Sequence, residues 1–171
     1  MWSIENSKND ESSKIRWELI PYFHGRVLDV GCGPYKAFPH FIGVDNGHHW
    51  GMMGADVKAD ASDLSLFSNE SCDAVYSSHL LEHISYENVP AVLNEWFRVV
   101  KNGGHVILYV PDSDEYPKCG SKYANPDHKF DPTYENIAEA LEKIDYSWDM
   151  IDFQKRNQDD EYSLFFVVKK L

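Results

Sequence analysis

The chain has 171 residues, a length that makes one domain and buries about two-thirds of the surface its unfolded form exposes. With 43% hydrophobic and 26% charged residues it has the balance of a globular protein, and no apolar run approaches the roughly 20 residues of a bilayer span. A net charge of −12 opposes the counterion release that drives binding to DNA, RNA or anionic lipid, so bulk nucleic-acid binding is not expected.

The first residues, MWSIENSKNDESS, have neither the basic start nor the apolar stretch of a secretory signal. Cys32, Cys72 and Cys119 show no paired spacing. A reducing, cytoplasmic setting is therefore expected. Residues 11–23 carry Ile15, Trp17, Leu19 and Ile20 among charged residues and read as a helix that Pro21 ends or kinks. This makes residues 1–24 a helical lead-in to a single domain over 25–171.

The first strand is 26–30, bounded by Gly25 before and by Gly31 to Pro34 after. Two more apolar strands follow, 41–44 ending at Asp45 and 57–59 ending at Asp60. A fourth, 72–76, leads into a long helical pattern that runs from Leu80 through Ile84, Val89, Val92, Leu93, Trp96 and Phe97 to Val100. Asn102, Gly103 and Gly104 stop it, and a fifth strand spans 105–110. Helical spacing returns after Thr133, an expected N-cap, through Ile137, Leu141 and Ile144. Residues 148–155 and 161–169 form a terminal hairpin around the polar turn 157–160.

Strands separated by crossovers imply an α/β, Rossmann-like, doubly wound and mostly parallel sheet, with an antiparallel hairpin strand at its end. Only residues 34–40 separate Gly33 from the second strand, so the first crossover helix is abbreviated and one sheet face is thinly covered. Ligands of such sheets lie beyond the carboxyl ends of the strands, where strand order reverses. Residues that end strands are therefore the candidates.

Gly31-x-Gly33 directly after a strand lets the backbone turn sharply and approach a ligand closely. Asp45 ends the second strand, where a carboxylate can accept both hydroxyls of a ribose. At Asp60-Ala61 a carboxylate and a backbone N–H can read an adenine edge. Val-Leu-Asp-Val-Gly-Cys-Gly at 27–33, Gly-Val-Asp at 43–45, Asp60-Ala61, and Cys-Asp-Ala-Val-Tyr-Ser-Ser-His-Leu-Leu-Glu-His-Ile at 72–84 together resemble the class I S-adenosylmethionine-dependent methyltransferases, of the type 11 domain kind.

The resemblance implies an S-adenosylmethionine cofactor. Gly31 and Gly33, with Cys32 between them, line its methionine portion, and Asp29 reaches its ammonium. Asp45, with Asn46 beside it, holds the ribose. Asp60 and Ala61 hold the adenine, and Ser77, Ser78 and His79 lie under the sulfonium. Nicotinamide-dependent oxidoreductases share the strand and the acidic ribose ligand, but their third glycine is Lys36 here, and an acid two residues before the first glycine suits an amine better than a pyrophosphate. A non-catalytic cofactor-binding module, or one subunit of a heteromer, is the other alternative.

His79-Leu-Leu-Glu-His83 matches the H-x-x-E-H pattern of zinc hydrolases, in which two histidines share a helix face. It falls where the resemblance places a cofactor loop, and no distant carboxylate ligand stands out, so no metal site is expected. His48 and His49 read as a solvated loop. The polar stretch 113–130 after the fifth strand is expected to form the acceptor pocket and to order when acceptor binds, with His128 as favoured base and His79 and His83 as other catalytic candidates. No Asn-Pro-Pro-Tyr or Asp-Pro-Pro-Tyr segment follows the fourth strand, which argues against methylation of base amino groups. A small-molecule or glycan acceptor is expected; oligomeric state is not legible.

Overall fold

The computed structural model describes residues 11–158 and 160–171. The first ten residues of the expected lead-in, and Asp159 of the hairpin turn, lie outside the described residues. Seven strands form one sheet in the order β3-β2-β1-β4-β5-β7-β6. They are β1 Val27–Val30, β2 Ile42–Asp45, β3 Val57–Lys58, β4 Cys72–Ser78, β5 Val100–Pro111, β6 Trp148–Arg156 and β7 Ser163–Lys170. The pairs among β1 to β5 are parallel, β7 runs antiparallel to β5, and β6 antiparallel to β7.

Strand character follows burial. All four residues of β1 are buried, as a central parallel strand covered on both faces requires. Edge strand β6 instead alternates half-buried and exposed residues along its length. The order of strands reverses between β1 and β4, so the crevice beyond their carboxyl ends is where a ligand belongs.

Among the described residues three α-helices accompany the sheet: α1 Glu11–Ile15, α2 Val89–Val99 and α3 Tyr134–Leu141. Helix α3 begins as its sequence suggests. The Thr133 side chain accepts from the Asn136 N–H while the Asn136 side chain accepts from the Thr133 N–H, a reciprocal capping box. Helix α2 is shorter than the apolar pattern implied. Its Pro90 fits only the first turn, where a missing N–H is harmless, so the helix starts at Val89. The stretch before it forms two short 3₁₀ turns, Leu81–His83 and Tyr86–Asn88, with Leu80 ahead of the first and an extended Ile84 between them. The expected stop at 102–104 is also different. Helix α2 passes directly into β5, and the register shifts between Cys72 and Ala74 of β4, with Val100 and His105 as their successive partners. Gly104 permits this because a Cβ there would lie 2.5 Å from the Asp73 carbonyl oxygen.

Two apolar clusters sandwich the sheet. One holds α2, α3 and the Leu64 and Phe67 side chains against β1, β4, β5 and β7. On the other face no crossover helix forms over 34–40; Ile15 and Leu19 from α1 and the 3₁₀ stretch Arg16–Tyr22 cover it, with Ala37 and Phe41. The Arg16 guanidinium donates to the Ala37 carbonyl and ties the two segments together. The helix-free stretch between β3 and β4 is fixed differently. Glu95 and Arg98 of α2 pair at 2.7 Å, Glu95 accepts from the Leu64 N–H, and Arg98 donates to the carbonyls of Leu64 and Phe67.

Candidate active site

The turn after β1 is built from backbone. Gly31 and Gly33 have φ of +73° and +55°, and the N–H groups of Gly31 and Cys32 donate to the Val44 carbonyl at 2.8 and 3.4 Å. A Cβ on Gly31 would sit 2.7 Å from Cδ2 of Leu80, so glycine is needed for space as well as for φ. Asp29 is buried beneath this turn and accepts from the Ala37 N–H at 2.7 Å. It braces the turn and does not line the cavity above. Cys32 is likewise buried, 2.9 Å from where a Cβ of Gly43 would be, and burial pushes its thiol far above the usual range.

Two carboxylates stand at the neighbouring strand ends. Asp45 Oδ2 accepts from the Gly33 N–H at 3.0 Å and Oδ1 from the Gly47 N–H at 2.7 Å. Each oxygen keeps a further acceptor site. Asp60 accepts from the hydroxyl and N–H of Ser62, which hold its carboxyl below the ordinary range. Asn46, next to Asp45 in the chain, has its side-chain amide 3.5 Å from Asp60 Oδ2. Ala61 is positioned by the buried Trp96, whose indole N–H donates to its carbonyl at 2.8 Å.

The end of β4 carries the histidines. Ser77 is buried with its hydroxyl on the Val30 carbonyl, and neither it nor Ser78 lines the cavity. His79 has φ +49°, and its N–H donates to the Tyr109 carbonyl. Residues 79–83 are therefore not one α-helix, and the shared-face geometry of the H-x-x-E-H pattern is absent. Burial lowers the His79 imidazole to about 3 and that of His83 to about 4, so both are neutral near pH 7.

His83 faces the cavity, while His128 sits one layer behind, 8% exposed. Their rings meet edge to face at 4.9 Å, with Tyr116 against the far side of His128. The loop that carries His128 is already folded over the cleft. The Lys129 N–H donates to the Glu82 carbonyl, the Cys119 thiol to the His128 carbonyl, and the Asn125 N–H to the Tyr116 hydroxyl.

These groups enclose a cavity of about 460 Å³, within the range of small-ligand sites. Its floor is Gly31, Gly33 and the ends of β2 and β3, and His79, Leu80, His83 and Ile84 form one wall. The sequence alone did not single out Leu80, Ile84, Trp50, Asn125 or Asp127, and it read His48 and His49 as solvated. All seven reach the cavity by way of loops. The Gly-rich composition of 46–56 was the one available sign of a loop able to fold back on Gly33. Among the described residues no lysine or arginine lines the cavity. Lys36 is turned away, onto Asp56 at 2.7 Å.

Residues 28–108 match the family model described as a methyltransferase domain. Over these residues the chain is similar to that family. Solved structures with the same fold include an S-adenosylmethionine-dependent methyltransferase from Archaeoglobus fulgidus, 20% identical, TM-score 0.68, covering 98% of this chain and 97% of that one. Another from Mesorhizobium loti is 15% identical with a TM-score of 0.70, covering 98% and 100%. A third is the 1,6-didemethyltoxoflavin-N1-methyltransferase of Burkholderia thailandensis with bound S-adenosylhomocysteine, 18% identical, TM-score 0.65, covering 93% and 76%. No curated protein matches the sequence.

The cavity agrees chemically with S-adenosylmethionine as cofactor. A dinucleotide needs cations or a helix N-terminus for its pyrophosphate. Here the residues after Gly33 form turns and no helix, and among the described residues Asp45, Asp60 and Asp127 line a cavity that has no lysine or arginine. Hydroxyls and positive charge suit that lining; phosphates do not. Among the described residues no helix is long and apolar enough to cross a membrane.

Proposed function

We propose that this chain is an S-adenosylmethionine-dependent methyltransferase that alkylates a hydroxyl of a small-molecule or sugar-type acceptor carrying no phosphate. The observation that supports this reading most is the lysine- and arginine-free cavity with the neutral His83 imidazole at its acceptor end. Three free cysteines, two of them buried, fit a reducing cytoplasmic setting.

When bound, S-adenosylmethionine supplies a methyl group already activated on a sulfonium. The chain's task is then to bind, align and exclude water. Asp45 would hold the ribose hydroxyls with the lone pairs left free by the Gly33 and Gly47 N–H groups. Asp60 and Ala61 would meet the adenine edge, and the exposed Trp50 indole, at the cavity wall beside Gly33, gives it a ring to stack on. The glycine turn lets the methionine portion lie against backbone. Asp29 contributes by bracing that turn. The 112–133 loop shuts out water, and His83, pressed from behind by His128, faces the acceptor.

The test is a screen of the purified chain with methyl-labelled cofactor against hydroxylated sugars, phenols and other polyols, their phosphorylated forms, and amines. Label in neutral hydroxyl acceptors supports the reading. Turnover confined to amines or to phosphorylated compounds overturns it.

A further inference from the structure

Glu82 is the most unusual side chain of the site. It is fully buried, and both carboxylate oxygens lack a hydrogen-bond partner. Two imidazoles stand nearby at distances too long for hydrogen bonds, His79 Nδ1 at 3.6 Å and His128 Nε2 at 3.9 Å from Oε1. A buried, unsatisfied carboxylate is costly unless something else compensates it. Donor atoms of Glu82, His83 and His128 all lie within 4.8 Å of one another.

We infer that Glu82, His83 and His128 form a binding site for a divalent first-row transition ion at the acceptor end of the cleft. The donor set is two imidazole nitrogens and one carboxylate oxygen, which suits zinc, manganese, iron or cobalt. Magnesium and calcium prefer sets made of oxygen alone.

Three further observations carry the inference. The donors are held in register, because the Lys129 N–H donates to the Glu82 carbonyl and joins the loop carrying His128 to the turn carrying Glu82 and His83. Supporting groups stand behind the donors, as metal ligands require: Tyr116 packs on His128, and the His79 ring, anchored to Ser163 Oγ at 3.1 Å, abuts Glu82. The span is also close to what an ion needs. Donors about 2.1 Å from one tetrahedral centre are about 3.4 Å apart, so small rotations of His83 and Glu82 close the site.

His83 lines the cavity while Glu82 and His128 lie behind it, so the open coordination positions face the cleft. This rests on the acceptor reading above, and deepens it. A hydroxyl oxygen of the acceptor can take an open position, and two vicinal hydroxyls can chelate, which would select polyols and catechol-like acceptors over lone alcohols. The arrangement differs from the zinc-hydrolase pattern in the sequence. His79 supports the site without ligating, and the third ligand, His128, comes from 45 positions further along the chain.

The experiment uses tag-free protein stripped with a chelator and titrated calorimetrically with zinc, with cobalt absorption reporting the geometry and magnesium as control. One equivalent of zinc is expected at micromolar affinity or tighter, weakened at least tenfold in His128→Ala and in Glu82→Gln. If Glu82→Gln does not fold, His128→Asn, checked by circular dichroism, gives the same reading. No zinc or cobalt binding by the folded chain overturns the proposal, as does binding retained in His128→Ala but lost in His48→Ala. S-adenosylhomocysteine binding, measured on the same metal-free sample, is independent of this outcome, so a failed metal site leaves the methyltransferase reading standing.

Discussion

Replacing Asp45 with alanine perturbs the cofactor end of the cleft through two separable effects. The carboxylate accepts from Gly33 at 3.0 Å and from Gly47 at 2.7 Å, so its loss frees two backbone donors of the turn and of the 46–56 loop. Those donors reach solvent in the open cleft, so the stability cost is about 1–3 kcal/mol, a fall in Tm of about 3–10 °C for a chain of this size. Ribose binding loses a charged acceptor for two hydroxyls, on the order of 1.5–3 kcal/mol, or about 10- to 150-fold in Kd. Asp45→Asn keeps one acceptor oxygen and is expected to fall between wild type and alanine. Calorimetric titration with S-adenosylhomocysteine at a temperature where both variants are folded gives the comparison. Unchanged affinity in folded Asp45→Ala would refute the assignment of the ribose to this carboxylate.

Other substitutions probe the scaffold. Gly31→Ala forces a Cβ against Leu80 at a φ of +73°, and is expected to cost about 2–4 kcal/mol and to weaken the cofactor, both measurable by denaturant melts and calorimetry. Thr133→Ala removes the capping box of α3 and should cost about 1 kcal/mol in a urea melt, with cofactor affinity unchanged. Arg98 beside Glu95 holds that carboxylate below its usual value of 4.5. The unfolded chain therefore takes up this proton first, and the stability Glu95 contributes is full above about pH 4.5 and is lost as pH falls through the folded value. Glu95→Gln should accordingly flatten the acid limb of the stability profile; a limb as steep as wild type would exclude Glu95 as a source of the acid sensitivity.

Features that depend on neighbours in sequence were legible before the structure. The buried run Val27–Val30, the two glycines after it and the carboxylates that end β2 and β3 are local patterns. So are the Thr133 cap and the hairpin of β6 and β7. Helix α2 shows the limit of periodicity. Leu80, Leu81 and Ile84 keep a helical spacing, yet they flank or enter a single 3₁₀ turn, because apolar spacing does not register the left-handed backbone at His79 or the extended Ile84. Pro90 was the better signal for the helix start.

The acceptor end was less legible for a different reason. His83 and His128 meet through a loop whose path is set by hydrogen bonds such as that from Lys129 to the Glu82 carbonyl, which no spacing rule encodes. The thin covering expected over one sheet face is also made good at a distance, by Ile15 and Leu19 from the start of the described chain.

The chemistry of this cavity fits an adenosine sulfonium and not a dinucleotide. Calorimetric titration of one sample of the purified chain with S-adenosylmethionine, S-adenosylhomocysteine and NAD tests it most directly. The lysine- and arginine-free lining, with Asp45 and Asp60 at the strand ends, predicts one equivalent of either sulfur compound at micromolar affinity and NAD binding at least 100-fold weaker. NAD binding as tight as S-adenosylhomocysteine, or no binding of any of the three, would contradict it.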